Sequence, residues 1–189
     1  MNILHRRYCR SDEWRQAVHH GMMPWVLGEV ELGANVLEIG PGPGVTTDWL
    51  RERVPSLTCV EIDRKLSDAL KARLEGTNVT VLEGDATAME FPDDSFDSAV
   101  CFTMLHHVPS RALQDLLLAE AHRVLKPGGL FLGSDSTPSF RWRLFHVFDT
   151  CVPVDPGTFS ARLEAAGFAD GQIDKRPEYN TFKFRARKL

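Results

Sequence analysis

Val36–Thr47 reads VLEIGPGPGVTT, and this stretch decides how the rest of the chain is read. Val36–Ile39 is a short apolar run stopped by glycine, the pattern of a buried parallel strand. One glycine suffices for a turn. Here Gly40, Gly42 and Gly44 alternate with Pro41 and Pro43. Glycine carries no Cβ to hold a neighbour away from the backbone, and proline stiffens the loop it stands in. The run therefore predicts a stiff loop that a large group approaches closely, with the amide donors of a helix starting near Thr46 turned toward the same space. Its G-x-G-x-G spacing matters. A dinucleotide fingerprint asks for a small residue where Val45 stands, and a P-loop asks for a lysine that is absent, so nicotinamide and nucleoside-triphosphate readings both lose ground.

Outward from this loop, strand and helix patterns alternate. Strands are expected at 57–62, 79–82, 98–104 and 130–133, and helices at 46–53, from Asp63 as cap to Leu74, at 112–125 closed by Pro127-Gly128-Gly129, and at 157–166. Two further strands near 172–175 and 181–187 are expected as an antiparallel pair, the last carrying Phe182 and Phe184 in alternation with Lys183 and Arg185. Residues 1–34 read as helical, with Ser11 as N-cap and Asp12 and Glu13 in the first turn. Phe140–Phe148, FRWRLFHVF, suits a short aromatic helix. The sum is one doubly wound α/β domain with no internal repeat or linker.

The 189 residues are 43% hydrophobic and 25% charged, with a net charge of −4. This is the balance of a soluble single domain, without the basic excess of a sequence-independent nucleic-acid binder. Cys9, Cys59, Cys101 and Cys151 are scattered, without C-x-x-C pairing or metal spacing, so free thiols and no metal site are expected. No signal peptide or membrane span is evident, and a cytoplasmic location is expected.

In a sheet of this kind ligands sit at the carboxyl ends of the strands. Two carboxylates fall there. Glu61 ends the second strand, where it can accept both hydroxyls of a ribose, and Asp85 ends the third, where it can accept from an exocyclic amine. Each has a plainer reading as a strand-end or cap residue, the role assigned to Asp63. Combined with the glycine loop at the same sheet edge, they favour a nucleoside ligand.

At this point VLEIGPGPG, CVEID, VLEGDA, FPDDSFDSAVCFTMLHHVP, RVLKPGG and FSARLEAAGF, in this order, resemble the successive landmarks of the class I S-adenosylmethionine-dependent methyltransferases. The resemblance, strongest to small-molecule methyltransferases of the methyltransferase domain 11 type, spans about residues 35–187. It implies a Rossmann-like fold with a mostly parallel seven-stranded sheet whose last strand is antiparallel; outside it, the N-terminal helical segment, 1–34, with Trp14 and Trp25, is expected to close one side over cofactor or substrate. The resemblance further implies S-adenosylmethionine as cofactor and S-adenosylhomocysteine as product. Glu38, Gly40, Pro41 and Gly42 would border the methionine part, Glu61 the ribose and Ile62 the adenine face. Asp85 would take the adenine amino group and the Ala86 amide a ring nitrogen, with Phe102 near the sulfonium.

The reaction implied is in-line methyl transfer to a small-molecule acceptor, in which the protein aligns the acceptor and excludes water. An acceptor that holds its proton needs a general base; a carboxylate needs none. Small-molecule O-methyltransferases similar to this chain use a histidine after the fourth strand, aided by an aspartate after the fifth. The matching residues are His106, His107 and Asp135, against the alternative that the histidines only pack the start of the following helix. Adjacent His19 and His20 point apart on a helix and read as a solvated helix end. The 140–148 stretch, with Arg141 and Arg143, reads either as cover for an apolar acceptor with an acidic or polar end or as ordinary packing. Ribosomal-RNA adenine dimethyltransferases share the first two landmarks, but their N-x-P-[YF] element is replaced by Phe102-Thr103-Met104-Leu105, and RNA is disfavoured. A cofactor-binding partner without catalysis is the remaining alternative. The acceptor atom and the oligomeric state are left open.

Overall fold

The computed structural model describes residues 7–139, 144, 147 and 149–189. Seven strands form one sheet: β1 (Asn35–Ile39), β2 (Ser56–Glu61), β3 (Val79–Glu83), β4 (Phe96–Phe102), β5 (Leu125–Ser136), β6 (Ala169–Arg176) and β7 (Thr181–Arg187). Their order is β3-β2-β1-β4-β5-β7-β6. The first five are parallel; β7 runs antiparallel to both β5 and β6. Among the described residues six α-helices accompany them: α1 (Asp12–Ala17), α2 (Met23–Leu27), α3 (Val45–Leu50), α4 (Arg64–Arg73), α5 (Arg111–Val124) and α6 (Phe159–Ala165). Between β1 and β4 the strand order reverses, which is where a doubly wound sheet opens a crevice.

Strand alternation sends neighbouring residues to opposite faces, and each face has its own core. Leu37, Ile39, Ala99, Cys101 and Phe131 pack with Leu117, Leu118 and Ala121 of α5 and with Phe159 and Leu163 of α6. Val36, Leu57, Cys59, Val100 and Leu132 pack with Val18, Met23 and Leu27 of the N-terminal segment, Leu50 of α3 and Leu70 of α4. The domain is thus three layers, helix–sheet–helix.

The caps follow the sequence. Asp63 Oδ1 accepts from the Lys65 and Leu66 amides, and Ser11 and Ser110 accept from Trp14 and Leu113. Three expectations are corrected. The N-terminal helix is interrupted by a π-helical turn, Val18–Met22, in which the Met23 amide bonds to Val18 O. Pro24 follows, and its ring would collide with the carbonyl of His20 in a regular α-turn, so the widened turn makes room for it. Strand β4 stops at Phe102 rather than running to Met104, because Thr103 takes a positive φ of 49°. Pro127-Gly128-Gly129 does not close a helix: it lies inside β5, which begins at Leu125 opposite Phe96 and shifts register before Leu130 meets Ser98. The 140–148 stretch lies outside the described residues except for Leu144 and Val147.

Candidate functional site

A cavity of about 560 Å³ opens at the carboxyl ends of β1, β2, β3 and β4. That volume lies in the range of small-molecule and cofactor sites. A comparable groove at the opposite, amino-terminal edge of the sheet is much more open and collects none of the predicted ligand residues.

The glycine loop forms the cavity floor, and it is held from every side. The Gly40 amide donates to Val60 O at 2.9 Å, Gly42 to Glu61 Oε2 at 2.9 Å, and Gly44 to Pro41 O at 3.0 Å. Arg73 of α4 reaches over to donate to Gly44 O at 3.3 Å and Pro43 O at 3.4 Å. Two of the glycines serve different ends. Gly44 has φ +86°, and a Cβ there would overlap the Leu70 methyl and the Arg73 guanidinium. Gly42 has φ +57° and open space where its Cβ would be, so there the backbone faces the cavity bare. The first is needed by the fold, the second leaves room for a ligand.

Glu61, 7% exposed, sits at the end of β2 with both oxygens toward backbone amides: Gly42 on Oε2 and Asp63 on Oε1, each at 2.9 Å. A carboxylate has about four lone-pair sites, so two are left for a ligand. Beside it Ile62, 69% exposed, lines the cavity as a bare apolar platform. Asp85 lines it from β3, its Oδ1 accepting from the Thr87 amide and hydroxyl at 2.8 Å, with Ala86 next to it. Phe102 closes the β4 end. The structure therefore gathers Gly40, Pro41, Gly42, Glu61, Ile62, Asp85, Ala86 and Phe102 around one space.

Glu38 stands apart from that space. It is 1% exposed beneath the loop, where it accepts from the hydroxyls of Thr46 and Thr47 (the latter at 2.6 Å) and from the Cys59 thiol at 3.4 Å. Burial without a neighbouring cation raises its pKa above the ordinary glutamate value, even against these donors. Its geometry ties β1 to the first turn of α3. Burial likewise pushes the Cys59 thiol up, with the Glu38 charge adding to it. All four cysteines are free, with burial raising Cys9 to about 11 and Cys151 to about 12.

On the other side of the cavity Leu105–His107 forms a single 3₁₀ turn. Asp135, fully buried near the end of β5, accepts the His106 amide on Oδ2 at 3.0 Å and contacts His106 Nδ1 through Oδ1. Ser136 donates its amide to the same Oδ1 at 2.6 Å. His106 and His107 both line the cavity, their rings 4.2 Å apart, and His107 Nδ1 lies 3.2 Å from Thr150 O. An aspartate on Nδ1 fixes the ring tautomer and leaves Nε2 as the proton-accepting nitrogen. Asp135 itself reaches the cavity only through His106.

Trp14, expected from the sequence to help close the site, forms a wall of the cavity, joined by Tyr8 and Cys9, whose part there was not singled out; Trp25 is not among the described lining residues. Behind this wall His19 Nε2 lies 3.0 Å from Val45 O, and Arg15 pairs with Asp48 at 3.4 Å, so the N-terminal segment is docked on α3. The wider turn at 18–22 that Pro24 demands was the available signal. The Glu38 clamp was foreshadowed only by two threonines opening a helix. No lysine or arginine is among the described lining residues, whereas Glu61, Asp63, Asp85 and Asp149 are. Among the described residues no group of His, Cys, Asp or Glu is placed to hold a metal ion, and no helix is long and apolar enough to cross a membrane.

A sheet of this order, with a glycine loop, a β2 acid and a β3 acid around one cavity, defines a nucleoside-binding α/β domain. The family model described as a methyltransferase domain matches residues 37–133, and the chain belongs to this family, the class I S-adenosylmethionine-dependent methyltransferases. An uncharacterized methyltransferase of Mycobacterium tuberculosis is 29% identical over 139 residues, covering 72% of this chain and 68% of that protein. A fatty-acid O-methyltransferase of Mycolicibacterium smegmatis is 34% identical over 111 residues, covering 57% and 39%. A protein named as a probable ribosomal RNA small subunit methyltransferase A, from Thermococcus sibiricus, is 33% identical over 110 residues, covering 53% and 40%. The match thus spans about two fifths of the length of the last two. Among solved structures, phosphoethanolamine N-methyltransferase 2 of Haemonchus contortus, in complex with S-adenosyl-L-methionine, superposes with a TM-score of 0.76 at 16% identity, covering 100% of this chain and 60% of that one.

Proposed function

We propose that this cavity holds S-adenosylmethionine together with a small-molecule acceptor, and that His106 serves as the general base for the acceptor. The observation that carries this reading is that His106, oriented by Asp135 and 2% exposed, lines the same cavity as the glycine loop, Glu61 and Asp85. The open space at Gly42, the bare face of Ile62 and the remaining lone pairs of Glu61 fit the cofactor's amino-acid arm, adenine and ribose. When bound, S-adenosylmethionine supplies an activated methyl group on a sulfonium. The chain's own work is alignment: the loop and Glu61 fix one end, Asp85 and the Ala86 amide the adenine, and Phe102 the end nearest His106. His106 Nε2 then takes a proton from the acceptor's hydroxyl or amine as the acceptor attacks, and Asp135 Oδ1 steadies the imidazolium that forms. Residues 7–34 act as the cover over this space through Tyr8, Cys9 and Trp14.

The acceptor side favours an uncharged molecule with apolar surface. Val108, Pro109, Leu113 and Trp14 line it, with no described lysine or arginine to draw in a phosphate backbone. RNA, suggested by the archaeal relative, draws no support from such a wall. The four free cysteines suit a reducing compartment, and we place the activity in the cytoplasm.

The test is formation of S-adenosylhomocysteine from S-adenosylmethionine across a panel of hydroxyl, amine and carboxylate acceptors, with wild type and His106→Gln. Turnover of a hydroxyl or amine acceptor should fall by about 10²–10⁴-fold in the variant while S-adenosylhomocysteine affinity is kept. Equal turnover by the variant removes His106 from the chemistry. Tight binding with no turnover of any acceptor favours a non-catalytic cofactor-binding protein.

A further inference from the structure

Four described non-glycine residues have φ in the left-handed region: Asp94, Thr103, Asp170 and Asn180. Aspartate and asparagine tolerate that region, because a short polar side chain can bond locally. Thr103, at φ 49°, is the β-branched one, and a branched Cβ makes this conformation a strained outlier. The local turn does not call for threonine. The Thr103 amide donates to Ser134 O at 2.8 Å, prolonging the β4–β5 ladder, and the chain then swings so that Met104 packs against Gly40. Glycine or asparagine would serve that path with less strain. Among the described residues the Thr103 hydroxyl has no hydrogen-bond partner, and Thr103 lines the cavity together with Phe102, Met104 and His106.

We propose that Thr103 is a ligand-contacting residue whose hydroxyl oxygen faces the sulfonium and makes the pocket prefer S-adenosylmethionine over its product. The inference rests on the cofactor reading above and deepens it. A hydroxyl offers two lone pairs. In a cavity partly shielded from water, an oxygen aimed at a positive charge stabilises the charged ligand and does nothing comparable for the neutral thioether left after transfer. The strain at Thr103 is then the cost of aiming that oxygen inward from a backbone already committed to the β4–β5 ladder. Product made in the pocket is held less firmly than the cofactor it came from.

The experiment is calorimetric titration of the whole chain with S-adenosylmethionine and, separately, S-adenosylhomocysteine, for wild type, Thr103→Val, Thr103→Gly and Thr103→Ser, with thermal denaturation of each. Valine keeps the branch and the strain but loses the oxygen; glycine loses both; serine keeps the oxygen. The ratio of the two affinities should shift toward the product by about 3–10-fold in the valine and glycine variants and stay at the wild-type value in serine. Glycine should also melt higher than wild type, so the loss of preference cannot be a folding defect. If the valine variant fails to fold, glycine against serine decides. Affinities that move together, or not at all, in the glycine variant overturn the inference and leave the cofactor reading standing. A wild-type protein that binds neither ligand overturns both.

Discussion

Replacing Glu61 by alanine removes an acceptor from two backbone amides at once, and the effect divides into two measurable parts. The first is structural. Gly42 and Asp63 each donate to the Glu61 carboxylate at 2.9 Å. Hydrogen bonds to a charged group contribute about 1.5–3 kcal/mol each, but both amides lie at a cavity where water can replace the carboxylate, so the loss for the pair is about 1.5–3 kcal/mol in total. For a chain of this size each kcal/mol corresponds to about 2–4 °C, which puts the fall in melting temperature at about 3–12 °C. The second part is binding. With the loop untethered and the proposed ribose acceptor gone, S-adenosylhomocysteine should bind at least about tenfold, and up to several hundredfold, more weakly. Glu61→Gln separates the two, because its one amide oxygen can keep one of the backbone donors while the charge is lost. It should recover much of the stability and little of the affinity. The assay is calorimetry with S-adenosylhomocysteine beside thermal denaturation of both variants. Wild-type affinity in Glu61→Gln would refute the assignment of the carboxylate to the ligand, and an unchanged melting temperature in Glu61→Ala would refute the loop tether.

Glu38 gives a prediction in pH. Its folded-state pKa is raised, so the stability it contributes is fully present below the ordinary glutamate range near 4.3 and is lost as the pH climbs through the folded value. Glu38→Gln has no such loss, and in urea titrations its stability relative to wild type should improve between about pH 4 and pH 8; a difference that stays constant with pH would mean that the carboxyl does not titrate in that window. The loop glycines should separate fold from binding. Gly44→Ala combines a left-handed alanine with overlap on Leu70 and should cost about 2–4 kcal/mol, whereas Gly42→Ala carries only the backbone strain, about 1–2 kcal/mol, and places a methyl in the cavity. Denaturation should rank Gly44→Ala as the more damaging and calorimetry Gly42→Ala as the weaker binder among folded variants, and the reverse ranking would contradict the roles assigned to the two positions.

The sheet was legible because its signals are local and redundant. β1, β2 and β3 are runs stopped at their carboxyl ends by glycine or acid, and Asp63, Ser11 and Ser110 announce their helices. The edges of elements were less so. Whether β4 ends at Phe102 or Met104 depends on one φ at Thr103, and whether Pro127-Gly128-Gly129 closes α5 or opens β5 depends on pairing with Phe96, about thirty residues earlier. The cavity residues at strand ends were readable from position alone. What chain position could not convey was depth: Glu38 and Glu61 are both acids at strand ends, yet one is sealed under the loop by Thr46, Thr47 and Cys59 and the other faces the cavity. The pairing of His106 with Asp135 joins elements 29 residues apart and was suggested only through the resemblance. The wall made by Tyr8, Cys9 and Trp14 depends on how the N-terminal segment docks, a tertiary choice with little local trace.

The position of β7 bears on the order in which the two halves of the site come into being. Strands β1 to β4 all lie within Asn35–Phe102 and pair among themselves, so the glycine loop, Glu61 and Asp85 can be brought together before the C-terminal strands are made. β5 has only one neighbour until β7 slides in between it and β6, with Phe182 and Phe184 set opposite Asp135 and Gly133, and Thr181 donating to Asp135 O at 2.9 Å. During synthesis the nascent chain therefore carries an assembled nucleoside half beside an unpaired β5 edge, and the segment holding Asp135 is fixed last. The half carrying Asp135 is completed after the half carrying the glycine loop, and it is the β5 edge, not the glycine loop, that a folding intermediate of this chain would offer to a chaperone.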